Sequence, residues 1–426
     1  MGWKRKARSK RWLPRVRPFA GRRLRRELRA ETVGRLAAKL PGGVRDPAFQ
    51  ELLERINASP FLSGNSVSLY FKGTDAFEAM LAAMDDARDE VLLEVYIFRD
   101  DATGILFRNA LLRAAGRGAA VRVLADAFGS LETADSFWDS MRAGGIEVRI
   151  FHPLLAHFLD QPFRDHRKIL VADRNIGFTG GMNVGEEYGS SRRRARSRVR
   201  TWRDTQVRVE GPTAWDLAVV FSEGWARANG TPFSLPSFTP VSAHGARALS
   251  LATRPGRGVD EKASVLTASV AAARKRVWIT NSYFAPKPRA IGVLTSAVER
   301  GVDVRMLLPG LTDAPLVRHA GHGYFGELLR CGARIFEYQP AMLHAKTLVV
   351  DDFVSVVGST NLDYRSFQFN AEANLVILDE GTAASLARAF EDDLFRSAEV
   401  TLEDWGRRTV LHRLGDRLAR SLAPVL

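Results

Sequence analysis

Cysteine is nearly absent from this 426-residue chain. Cys331 stands alone, which excludes an intramolecular disulfide framework and a cysteine-based zinc site. It fits a reducing compartment. No apolar run reaches the roughly 18 residues of a membrane-spanning helix. No carboxylate cluster or His/Cys cluster at metal-ligand spacing stands out, so no cofactor is called for and chemistry without a metal is expected. Acid is scarce at the N-terminus: residues 1–30 hold 13 Lys/Arg and one acid, Glu27. No apolar segment follows them, so they are not a secretory signal, although an Arg-rich, acid-poor start can mimic a mitochondrial transit peptide. Against these absences stand 46% apolar and 26% charged residues, an ordinary globular balance that rules out wholesale disorder. The length suggests two or three domains with a substantial core.

The net charge of +14 is unevenly placed. Residues 1–30 supply +12, a run from Arg192 to Arg203 adds seven arginines, and the remainder sums to −5. A mildly acidic body thus carries two basic devices, and polyanions are its natural partners: nucleic acid or an anionic membrane face. Trp3, Trp12, Leu13 and Phe19 lie among the N-terminal bases, and Leu24, Leu28, Leu36 and Leu40 suggest an amphipathic helix. Such a mixture suits lipid headgroups; a solvated flexible arm is the plainer alternative.

From about residue 61 strands and helices alternate. Strands are expected at 91–98, 121–124 and 147–151, and helices at 102–117 and 134–143, which implies a mostly parallel sheet flanked by helices. The pattern then returns. RVWITNSYF (276–284) resembles EVLLEVYIF (90–98), RGVDVRMLLP (300–309) matches RGAAVRVLAD (117–126), and GARIFEYQP (332–340) matches GIEVRIFHP (145–153). One α/β unit is therefore duplicated, at a spacing far longer than that of solenoid repeats. Four segments result: a basic arm (1–60), a first unit (61–235), a linker with the second unit (236–400), and a C-terminal basic amphipathic helix (401–426). Residues 229–260 are rich in Gly, Pro, Ser and Thr and read as a linker or edge connection. In the last segment Trp405, Leu411, Leu414, Leu418 and Leu422 form an apolar stripe among arginines. Packing against the body is the default for such a stripe, and facing a membrane is the alternative.

Each copy carries the same constellation. HRKILVAD places His166, Lys168 and Asp173; HAKTLVVD places His344, Lys346 and Asp351. GGMN and GSTN follow, ending at Asn183 and Asn361, each at the same distance beyond its histidine, with Ser359 inside the second. Recurrence at matching places in both copies makes accident negligible. In a strand, residues two apart share a face, so each His and Lys project together, while each Asp falls at the strand end where a turn is expected. Two such sets facing each other suit a phosphodiester. Lysines and asparagines can hold nonbridging oxygens, one His can attack phosphorus, and the other can protonate the leaving oxygen. Each imidazole then needs an orienting carboxylate on its other nitrogen. Asp204, downstream of His166 in the first copy, and Glu372, downstream of His344 in the second, are the candidates.

The duplicated H-x-K-x-x-x-x-D resembles the phospholipase D superfamily. GGMNVGEEY (180–188), WRDTQVRVEGP (202–212), NSYFAPKP (281–288) and GSTNLDYRSFQFNAE (358–372) are similar to segments of bacterial cardiolipin synthases, and the likeness runs from about residue 65 to the C-terminus. The resemblance implies two phospholipase D-like domains with the active site at their interface, and phosphatidyl transfer through a phosphohistidine. Phosphatidylglycerol would be the acceptor, and phosphatidylglycerol or phosphatidylethanolamine the donor. It implies His166 as nucleophile, His344 as acid/base, Lys168, Lys346, Asn183 and Asn361 at phosphate, Asp204 and Glu372 orienting the histidines, and Asp173 and Asp351 as motif acids with structural or hydrogen-bonding roles. Many family members carry two N-terminal transmembrane helices; this chain resembles the branch without them. Its expected place is peripheral, on the cytoplasmic side of the cell membrane. A lipid hydrolase or a nuclease on the same site, and a non-catalytic scaffold for anionic lipid or nucleic acid, are the alternatives. The NLDYRSF context and the leucines and aromatics of the arm make nucleic acid an unlikely partner.

Overall fold

Alternating apolar strands and capped helices set the architecture. In the computed structural model, which describes residues 33–152, 163–189, 201–235, 244–253 and 261–425, the expected elements of the first copy form within a few residues of their sequence bounds. The strands are β1 (Leu62–Tyr70), β2 (Glu90–Val95), β3 (Ala120–Asp126), β4 (Glu147–Phe151), β5 (Arg164–Asp165), β6 (Ile169–Ala172), β7 (Ile176–Gly180) and β8 (Gln206–Glu210). The second copy follows with β9 (Ala246–Thr253), β10 (Arg276–Thr280), β11 (Phe284–Ala285), β12 (Asp303–Pro309), β13 (Arg334–Tyr338), β14 (Thr347–Val350), β15 (Val354–Gly358), β16 (Leu362–Asp363) and β17 (Asn370–Leu378); β18 (Ser397–Val400) comes last. Most of the basic arm and of the arginine run, and part of the linker, lie outside the described residues.

Sixteen strands join in one sheet whose order is nearly a palindrome: β4-β3-β2-β6-β7-β8-β1 in one half, and β13-β12-β10-β14-β15-β17-β9 in the other. The halves meet at the antiparallel pair β1 and β9. The α/β class and the two-copy plan stand, with one correction. Parallel pairing between strands of the same half of this sheet is confined to β2-β3-β4 and β10-β12-β13, where helices such as Ala102–Gly116 and Pro288–Glu299 make the crossovers; β5 pairs in parallel with β17 across the halves, and β11 with β16 in a separate two-stranded sheet. The motif strands β6 and β14 run antiparallel to both neighbours, because tight turns join β6 to β7 and β14 to β15. A second correction concerns the linker. Its segment ARALSLAT is the central strand β9, buried between β17 and β1, because its alternating apolar residues complete the sheet. One apolar core spans both copies, with Val207, Phe221 and Trp225 packing with Trp278, Leu375 and Phe390. The relative placement of the two motifs is thereby fixed by a shared core.

The motif aspartates are placed by this geometry away from their histidines. Asp173 and Asp351 follow β6 and β14 in left-handed backbone, φ 50° and 52°. Asp173 accepts the backbone N–H groups of Arg88, Asp89 and Glu90 at 2.8, 2.8 and 2.9 Å. Asp351 does the same for Arg274, Lys275 and Arg276 at 3.1, 2.8 and 3.1 Å. The whole of each motif strand separates aspartate from histidine. Through these hydrogen bonds the two acids tie the start of β2 and β10 to the motif strand. Asp351→Ala is expected to lower unfolding free energy by about 2–4 kcal/mol, since it leaves part-buried N–H donors without a charged acceptor. Denaturant titration checks this, with turnover per folded molecule unchanged at low temperature.

Candidate active site

Each histidine lies in the extended segment that enters its motif strand rather than within the strand's ladder: His166 follows β5 and precedes β6, and His344 precedes β14. Both segments are held by the opposite copy. β5 pairs in parallel with β17, and the His166 N–H donates to the Ala371 carbonyl at 3.0 Å. Leu343 bridges Arg203, and the His344 N–H donates to the Arg203 carbonyl at 2.7 Å. The next residues along those partners are Glu372 and Asp204.

Backbone pairing therefore crosses the carboxylates between copies. His166 Nδ1 lies 3.0 Å from Glu372 Oε2, and His344 Nδ1 lies 2.7 Å from Asp204 Oδ2. Order along the chain, with each acid downstream of its own copy's histidine, gave no sign of this exchange. All four groups are buried. Burial alone would raise Glu372, but the His166 contact and nearby lysines win and hold it at about 2; Asp204 is lowered in the same way by His344. An ionised carboxylate only accepts, so each Nδ1 carries the proton and each Nε2 is left with its lone pair. Burial and then Lys346 push His344 down to about 3; burial and Lys168 lower His166. Both imidazoles are thus neutral at neutral pH. Each also feels the lysine of the other copy, which places the two motifs within one electrostatic field.

Lys168 and Lys346 are buried, and each Nζ donates to the carbonyl of its own motif histidine, at 2.7 Å for Lys168. Burial pushes them down to about 7 and about 8. Either ammonium keeps N–H groups for an anion. The asparagines differ. Asn183 accepts from the Ile97 N–H at 3.1 Å and donates to Tyr188 Oη at 2.8 Å. Asn361 accepts from Ser282 Oγ at 2.9 Å, and its amide N–H group makes no hydrogen bond among the described residues. Ser359 donates to Glu372, which therefore receives two hydrogen bonds on one oxygen. The first copy has Gly181 at that place, and a Cβ there would sit 2.2 Å from Asp204 Oδ1. The shorter acid and the glycine are a matched pair.

Sequence reasoning missed two residues of the wall. Tyr188 and Trp202 pack against His344 with ring centroids 5.6 and 5.2 Å away. Their signal was proximity to Asn183 and Asp204 in sequence. Tyr96 lies 5.0 Å from the His166 ring and Tyr283 lies 6.1 Å from that of His344. These rings strip water from the imidazoles, which is the burial that lowers them. Asp126 acts one step back: it accepts the Asp165 N–H at 2.9 Å and so fixes β5, which leads directly into His166. Arg203 is held by Asp393 at 2.8 Å, so this last member of the arginine run is anchored in the fold. Among the described residues one group could meet a metal ion, His319, His322 and Asp416. It belongs to the C-terminal helix contact, and Arg408 already lies 2.5 Å from Asp416.

Two neutral histidines with crossed carboxylates and two lysines, carried by two copies of one α/β unit, define a phospholipase D-like class of site. Comparison with known proteins narrows the class. The family model described as cardiolipin synthase, PLD-like domain, matches residues 80–193 and 266–394. Cardiolipin synthase A of Pseudomonas putida is 37% identical over 378 residues, which cover 88% of this chain and 77% of that one. Cardiolipin synthase 1 of Bacillus anthracis is 32% identical over 419 residues, covering 95% and 81%. The crystal structure of phosphatidylserine synthase from Haemophilus influenzae Rd KW20 superposes with a TM-score of 0.66 at 14% identity, covering 89% of this chain and 98% of that one, a likeness of fold. The chain belongs to the cardiolipin synthase family of phospholipase D-like proteins.

Proposed function

We propose that this protein is a phosphatidyltransferase that makes cardiolipin through a phosphohistidine. The observation that carries the reading is the crossed pair of neutral histidines, each with a free Nε2 beside a buried lysine. Nε2 of His166 attacks phosphorus of the donor phospholipid, and the bond from phosphorus to the headgroup oxygen breaks. As the phosphodiester anion binds, His344 takes up a proton from solvent at Nε2; it delivers that proton to the headgroup oxygen, releasing glycerol or ethanolamine. His344 then takes the proton of a headgroup hydroxyl of phosphatidylglycerol, whose oxygen displaces His166 and forms cardiolipin. The bound phosphodiester anion supports the first step by countering the field of Lys346, which raises the proton affinity of His344. Lys168, Lys346 and the free amide of Asn361 stabilise the charge on the nonbridging oxygens. The substrates lie in a bilayer. No described helix is long and apolar enough to cross one, and we assign the basic arm to the anionic cytoplasmic face.

Incubation with labelled phosphatidylglycerol, alone and with phosphatidylethanolamine, tests the reading. Cardiolipin with glycerol or with ethanolamine supports it and identifies the donor. Phosphatidic acid alone, or plasmid nicking without lipid turnover, overturns it. The pH dependence follows from the lysines, which are cationic below their pKa values. With Lys168 at about 7 and Lys346 at about 8, kcat/KM is expected to fall as pH rises through that window. His166, lowered below its ordinary value by burial and then by Lys168, is unprotonated at neutral pH. The proton that His344 must carry adds to this fall, so a profile flat to about pH 9 would show that neither the charge of the lysines nor a protonated His344 is needed.

A further inference from the structure

The last helix, Val410–Leu422, is docked inside out. It rests on the helix Pro315–Cys331 through its polar side. Asp416 is 3% exposed and takes His319 Nδ1 at 2.9 Å and Arg408 at 2.5 Å; Arg420 donates to the Gly323 carbonyl at 2.8 Å and covers the ring of Tyr324. Apart from the small Ala419, the apolar residues point away. Val410, Leu411, Leu414, Leu418 and Leu422 are 69%, 81%, 47%, 67% and 49% exposed. At helical spacing they form one continuous face. The sequence suggested an apolar stripe packing on the body; of its members only Trp405 packs, against Phe325 with ring centroids 4.9 Å apart. A soluble surface rarely keeps such a patch without a use.

We propose that this outward face docks on an anionic bilayer and seats the active site against it. Charge selects that occupant. Residues 407–422 hold five arginines and one acid, and the acid is the buried Asp416. Arg413 and Arg417 flank the leucines, as expected for a helix lying in the headgroup layer. Position supports it too. Ala419 and Ala423 pack with Ala285 and Ala320 beside Tyr364, close in sequence to Asn361 of the site. Exposed Leu311 and Leu316 lie on the neighbouring loop and first helical turn, and Asp313 between them hydrogen-bonds Tyr283 of the histidine wall at 2.8 Å. The Asp416 clamp is what turns the leucines outward.

The inference rests on the lipid-transfer reading, so its test must be separable from that reading. In the full chain with Cys331→Ser, Leu418→Cys carries an environment-sensitive fluorophore, and Glu403→Cys carries it as control. On phosphatidylglycerol vesicles the probe at position 418 is expected to shift to the blue and be quenched by brominated acyl chains, while the probe at 403 stays wet. Leu411→Ser with Leu418→Ser is expected to weaken vesicle binding on the order of tenfold or more, two apolar side chains being lost from the bilayer. Transfer in detergent micelles is expected to be unchanged, which separates docking from chemistry. A vesicle-bound protein whose probe at 418 stays wet, failure to bind vesicles, or a lipid-free dimer that the two substitutions dissociate would each overturn the proposal.

Discussion

His344→Ala is expected to stop lipid turnover and yet leave an enzyme that can still be phosphorylated once. Turnover of natural phospholipid should drop by at least about 10³–10⁴, since a headgroup alkoxide leaves poorly without a proton. A phosphatidyl ester with a nitrophenol leaving group needs no such proton, so the variant should release one equivalent of nitrophenol and retain a phosphohistidine. His166→Ala should lose turnover at least as strongly and show no burst with either substrate, because the attacking Nε2 is gone. Rapid quench followed by mass mapping of the phosphorylated peptide reads both outcomes. A phosphohistidine at position 344 in His166→Ala would exchange the two roles. Near-normal turnover in both variants would end the mechanism. Neither substitution removes a large apolar group, and a shared core holds the copies together, so both proteins are expected to fold.

The chemistry was legible because it repeats. Two H-x-K-x-x-x-x-D runs with an asparagine at one distance survive in copies that otherwise diverged, and the strands around them read correctly from apolar alternation. Three things were not legible, for physical reasons. The mostly parallel sheet failed because pairing direction depends on connection length, and the turns after β6 and β14 are too short for a crossover. The strand β9 hid in a segment whose Gly, Pro and Ser content read as linker, while its own eight residues alternate well enough to sit at the centre of the sheet. The crossed carboxylates depend on pairing between residues far apart in the chain, for which local sequence carries no signal. The final helix shows the same limit: periodicity reveals an apolar stripe, and only the Asp416 clamp reveals which way it faces.

Glu372→Gln and Asp204→Asn should produce different failures, and the difference tests the crossing itself. Each amide keeps the volume of its acid but loses the charge that fixes the imidazole tautomer, a loss worth about 10²–10⁴ in turnover where a buried acid orients a catalytic histidine. Glu372 serves His166 and also receives Ser359. Its amide should therefore slow formation of the phosphohistidine, even with a nitrophenol leaving group. Asp204 serves His344, so its amide should behave like a weaker His344→Ala, with a normal burst and slow turnover. Pairing within each copy would reverse these assignments: Asp204→Asn would block the burst and Glu372→Gln would spare it. A pH profile separates positioning from mere packing. Glu372 raises the proton affinity of His166, so its removal lowers the histidine further and should move any acid-side loss of kcat/KM to lower pH. A packing defect would scale the whole profile and leave that limb in place.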